Sequence, residues 1–132
     1  TEHMYFHISG GGSTTAITQL KAPGDVYLIE VSGPANLNIE AGDNDFSIKF
    51  ALCKDLFGYY NHVKTLSDEV KNIFSSTRRL VHKVSAGTVI GGVGHLQGNF
   101  DLGTYDYRIK NNFANPSRYG DLSATGFGRP RS

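Results

Sequence analysis

A period of two constrains this chain more than any other feature. Phe46, Ile48, Phe50 and Leu52 alternate with Ser47, Lys49 and Ala51. Successive strand side chains point to opposite faces, so such a run lays one apolar face on a core and one face in solvent. Just upstream, Leu37, Ile39 and Ala41 alternate with Asn38 and Glu40, and Gly42-Asp43-Asn44-Asp45 between the two runs has turn composition. Together they predict a half-buried hairpin. The same alternation marks Met4-Phe6-Ile8 and Tyr105-Tyr107-Ile109. Shorter strand candidates are Ala16 to Leu20, Leu80 to Val84 and Thr88 to Val93. Val26 to Val31 is almost entirely apolar, which predicts a central strand covered on both faces.

The period changes once. Leu66, Val70, Ile73 and Phe74 fall at helical spacing. Thr65 stands where a cap is needed, with Asp68 three residues on. Asp68 and Glu69 suit the positive end of the helix dipole, and Arg78 and Arg79 suit the negative end. The spacing predicts one short helix around residues 66–78. Strands in runs with a single helix argue for a mainly β fold, an antiparallel sandwich or barrel of jelly-roll-like character. The 132 residues suit a single domain, 1–132, with an open, flexible basic tail at 125–132.

Composition excludes several classes. The longest apolar runs are too short for a membrane-spanning helix. One cysteine, Cys53, rules out an internal disulfide framework, and its place near a strand end predicts a partly buried, inert thiol. The net charge of +1 argues against a nucleic-acid binder. That small total hides an asymmetry. Residues 1–58 carry −4, residues 59–107 carry +1 and residues 108–132 carry +4. No signal-peptide pattern is visible at the start of the sequence.

The motifs that carry chemistry fail on spacing. Gly10-Gly11-Gly12-Ser13-Thr14 lacks the lysine of a phosphate loop. Gly92-Val93-Gly94-His95-Leu96-Gln97-Gly98 places its third glycine one residue late for a dinucleotide fingerprint and reads as a bent strand or hairpin. Asp43-Asn44-Asp45 offers oxygen ligands, but Lys54 stands where a calcium loop needs its closing glutamate. His7, His82 and His95 are the histidines a zinc site would draw on, with no spacing that selects them. No Gly-x-Ser-x-Gly elbow is present. The sequence therefore predicts no catalytic residues, no cofactor and no metal.

Two clusters combine aromatic rings with amide, carboxylate and guanidinium groups. One is Tyr59-Tyr60-Asn61-His62. The other runs from Tyr105 to Tyr119 and includes Asp106, Arg108, Asn112 and Arg118. A sugar needs a flat aromatic face for its apolar side and polar groups for its hydroxyls, and these clusters hold both. They are the candidate ligand-binding residues.

The overall texture is a small β domain with 16 glycines, 7 tyrosines, few charges and no disulfide. It resembles the receptor-binding tip domains of phage tail fibres and related viral fibre heads. The likeness is one of texture and transfers no residue roles. It implies a homotrimer that binds a host-surface glycan or protein, located on a virion or another extracellular surface, without membrane insertion or nucleic-acid binding. The alternatives are a stand-alone carbohydrate-binding module or lectin and, third, a small metal-assisted hydrolase.

Overall fold

The computed structural model describes residues 3–8, 18–40, 45–95 and 98–108. The strands are β1 (His3–His7), β2 (Thr18–Lys21), β3 (Val26–Ser32), β4 (Phe46–Cys53) and β5 (Leu56–Leu66). A helix, α1 (Asp68–Phe74), follows, then β6 (Arg79–Val84), β7 (Val89–Val93) and β8 (Asn99–Asp106). Every pairing between these strands is antiparallel. The sheet order is β1-β8-β5-β4-β3-β6, with β7 joining β5 to β2. The fold is mainly β and sandwich-like, and the sheet does not close into a barrel.

Strand β5 organises the molecule. On one side it pairs with β4 from Leu56 to Val63. On the other side, Leu56–Asn61 pairs with β8, and Val63–Leu66 pairs with β7. The change of partner falls at His62, a non-glycine residue with φ of 59°. Left-handed backbone there bends the strand, and the β8–β1 branch and the β7–β2 branch diverge from that point. The core lies on the inner face, built from Val26, Leu28 and Val31 of β3, Phe46, Ile48 and Phe50 of β4, and Tyr60 and Val63 of β5. Ile90 and Val93 of β7 and Leu20 of β2 close it from the other branch. Each large side chain so buried contributes about 1.5–3 kcal/mol.

The hairpin partner of β4 differs from the sequence expectation. Residues 37–38 form a turn, and β4 pairs with β3 instead. Leu37 is buried, but as a loop residue on the core edge, so its alternation with Asn38 and Ile39 reflects one anchored side chain and not a strand. β3 does sit between β4 and β6, yet Tyr27 is 42% exposed. Only one of its faces is covered, and its apolar sequence overstates its burial.

The helix is also shorter than its spacing suggested. Leu66 ends β5, Ser67 caps the helix by accepting from the Val70 N–H at 3.3 Å, and Thr65 lies in the strand. Asp68 and Glu69 occupy the first turn, and Lys71 is the basic residue of the last turn. Arg78 and Arg79 lie beyond it. Seven residues are too few to hold a helix by themselves, so burial of Val70 and Phe74 is what fixes it. Cys53, expected to be partly buried, is exposed at the end of β4.

Candidate functional site

The exposed face of the β5–β8–β1 branch is the richest in ring and amide groups. Alternation and register place its members. Phe57 stands opposite Tyr105, Tyr59 opposite Gly103 and Asn61 opposite Asp101. On the far side of β8, His3 is opposite Gly103, Tyr5 opposite Asp101 and His7 opposite Asn99. Directly opposed residues share a face, so these side chains lie together on one surface.

Gly103 shapes that surface. A Cβ built on it would overlap the Tyr59 ring. The outer end of the Tyr59 ring therefore reaches across β8 into the space a side chain would take, on a half-buried surface beside Tyr105. Tyr59 and Tyr105 have centroids 5.6 Å apart, and Tyr107 stands edge-on to Phe57 at 5.7 Å. Tyr105 is 42% exposed and Tyr5 63%. Toward the other end, the Ser47 hydroxyl donates to Asn61 Oδ1 at 2.6 Å, which leaves the amide nitrogen as a donor. His7 Nδ1 and Asn99 Oδ1 are 2.9 Å apart.

A chain of imidazoles and carboxylates borders this face where β5 changes partner. Asp45 accepts from two rings, His62 Nδ1 at 2.5 Å and His95 Nε2 at 2.7 Å. A carboxylate only accepts, so His62 Nδ1 and His95 Nε2 are the donors of these contacts. His62 Nε2 also lies 3.7 Å from Asp101 Oδ2, and His3 Nε2 lies 3.9 Å from the same oxygen. Two buried atoms of this histidine–aspartate network have no partner among the described residues, His95 Nδ1 and Asp101 Oδ1. Gly33 supports the arrangement from behind. Its φ of 122° and its closeness to the Asp45 carbonyl leave no room for a side chain.

The residues singled out from sequence scatter. Tyr59, Asn61 and Tyr105 come together on the exposed face. Tyr60 points the other way into the core, only 5% exposed, and burial raises its pKa. His62 sits at the strand switch, pinned by Asp45. Asp106 and Arg108 close the turn after β8, with Arg108 Nε donating to Asp106 at 2.8 Å. That contact holds the Asp106 carboxyl down at about 2 and pushes the guanidinium up. Asn112, Arg118 and Tyr119 lie outside the described residues, as does the basic tail. Sequence reasoning missed Tyr5, Phe57, Asn99 and Asp101. The usable signal was the alternation of Phe57, Tyr59 and Asn61, obscured by Gly58 and Tyr60 between them.

The other sites weighed from sequence take different shapes. His7, His82 and His95 are dispersed: His7 contacts Asn99, His82 Nε2 lies 3.3 Å from Glu69, and His95 contacts Asp45. Among the described residues no group of three histidine, cysteine or acidic side chains is placed to hold a metal ion. Asp43 lies outside the described residues, and both oxygens of Asp45 are taken. A separate ion cluster joins Glu30 to Lys49 at 2.8 Å and to Arg79 at 2.9 Å, and Lys49 foremost lowers the Glu30 pKa. Beside it an open hollow of about 340 Å³ is lined by Glu30, Val31, Ser32, Gly33 and Arg78. Arg78 donates through Nη2 to the carbonyls of Pro34 and Ala35, so it serves as a loop clamp. No described helix is long and apolar enough to cross a membrane.

No family model matches the chain, and no curated protein or solved structure matches it.

Proposed function

We propose that this is a non-enzymatic recognition domain that binds a host-surface glycan through the exposed β5–β8–β1 face. The observation that carries the reading is the Tyr59 ring reaching over Gly103 beside the exposed Tyr105. A pyranose has an apolar face of ring hydrogens and an equator of hydroxyls. The first stacks on such a ring, and the second needs short polar groups nearby. Asn61, His7 and Asn99 stand on the same surface. The fibre-tip resemblance supplies a biological setting for the same activity, with this face turned outward.

A glycan array probed with the whole protein tests the reading. Binding to a defined set of glycans should fall about tenfold or more, roughly 1.4 kcal/mol, in Tyr59→Ala and in Tyr105→Ala. Far-UV circular dichroism should stay unchanged in both, because neither ring is in the core. Retained affinity in both variants would remove this face from the proposal.

A further inference from the structure

The face has a direction, and that direction specifies the ligand more closely. Along β8 the shared surface runs from Tyr105 through Gly103 and Asp101 to Asn99. Six residues of strand span about 20 Å. That is several times the width of one aromatic side chain. The character grades along the run. Phe57, Tyr59 and Tyr105 form the ring-rich end, Tyr5 and Asn61 lie in the middle, and the His7–Asn99 pair stands at the other end.

Among the described residues, the charges on this surface have a partner of opposite sign or are withdrawn from it. Lys49, opposite Tyr59 on β4, is bound to Glu30, which it shares with Arg79 of β6. Arg108 is bound to Asp106 at the ring-rich end. Asp101 is 4% exposed and turned toward His62 and His3. Each of these cations already has a carboxylate contact, so a sulfated or uronate-rich chain would have to compete with Glu30 or Asp106 for it, and burying its charges unpaired would be costly. A single terminal sugar would use one ring and leave the rest of the surface idle.

We infer that the ligand is an extended, uncharged oligosaccharide laid along β5 and β8, and not a terminal monosaccharide or an anionic glycan. This inference rests on the glycan-binding reading above. Tyr5 and Tyr105 are exposed strand rings that mark its length, since the Asp101 that faces Tyr5 lies four residues, about 13 Å, from Tyr105 along β8.

The test uses printed series of linear glucose, mannose, galactose and N-acetylglucosamine oligomers, each from monosaccharide to hexamer, with sulfated and uronate counterparts. The best series is then titrated calorimetrically against the whole protein and against Tyr5→Ala and Tyr105→Ala. Both rings are exposed, so the variants keep the core, and thermal melts check that they do. The expected result is affinity rising at least tenfold from monomer to tetramer. The Tyr5→Ala loss should appear only with the longer oligomers, while the Tyr105→Ala loss appears with short ones too. A monosaccharide bound as tightly as the oligomers would overturn the extended track and leave the glycan reading standing. A preference for the sulfated or uronate series would overturn the neutral ligand alone. Binding to none of the series would overturn the glycan reading and this inference with it.

Discussion

Gly58 and Gly103 do the same work on opposite faces of the sheet. Gly58 stands directly across from Phe50, and Gly103 directly across from Tyr59. In each pair the ring lies over the glycine, where an added Cβ would overlap it. Laying an aromatic over a strand glycine restores packing that the missing side chain forfeits. The consequences of adding a methyl differ because the two faces differ. Phe50 is 1% exposed, so its ring has nowhere to go, and Gly58→Ala should destabilise the protein by about 1–3 kcal/mol in urea unfolding. Tyr59 meets Gly103 with the outer end of its ring and is open to solvent on one side. Gly103→Ala should therefore lift that ring at a cost of about 1 kcal/mol, near the centre of the range for point changes and below that of Gly58→Ala, while glycan affinity falls about as far as in Tyr59→Ala. Equal affinity to wild type would show that the flat ring is not what the ligand touches. Neither glycine stands in an alternating apolar run of the sequence, so the first half of β5 and the middle of β8 were not legible.

At the scale of the element, β5 is where sequence and structure part most. The alternation of Phe46, Ile48 and Phe50 was readable because that stretch of β4 keeps one side on the core; Leu52, expected on the same side, is instead 42% exposed, where the register shifts between Ala51 and Cys53. β5 has no such constancy. Its first half buries Tyr60 and leaves Phe57 and Tyr59 half-buried, and after His62 it turns to a new partner and buries Val63, Lys64 and Leu66. Lys64 stays buried because Glu40 pairs with it at 3.2 Å. A local bend resets the face count, so no single period describes the strand. Leu66 lent the false first turn to the helix, because its side chain reaches the same core as Val70 and Phe74 while its backbone is still extended. The candidate site was half legible for the same reason: Tyr59, Asn61 and Tyr105 were visible as chemistry, but their common face depends on pairings 40 residues apart.

The bend itself is testable. Left-handed backbone is tolerated by asparagine and disfavoured for β-branched residues. Holding such a residue at φ near 59° costs about 1–3 kcal/mol. His62→Val should lose that much more stability than His62→Asn, measured by denaturant midpoint at constant m-value. Both variants lose the imidazole contact to Asp45, so the comparison isolates the backbone. Indistinguishable midpoints would mean that the strand does not bend at this residue in solution.

At the scale of the molecule, the described pairings leave β1 and β6 at opposite ends of one sheet. Both carry exposed apolar side chains, Met4 at 62% and Val81 at 73%. An open edge with apolar residues is an invitation to pairing that natural sheets usually cover. Two different edges meeting head to tail form a heterologous contact, and such contacts build a closed ring when the rotation allows. Three copies closed in this way would fit the fibre-tip expectation and keep the glycan face accessible, since that face is made by β5, β8 and β1 of one chain alone. Light scattering after size exclusion should then give a mass three times 14.4 kDa, unchanged on dilution, because an interface of about 1,200–2,000 Å² holds at low concentration. Glutamate placed at Val81 should bring the mass down to that of the single chain without reducing glycan binding per chain. A single-chain mass in the unmodified protein at every concentration would remove the trimer and leave a stand-alone lectin, with one binding face per molecule in either case.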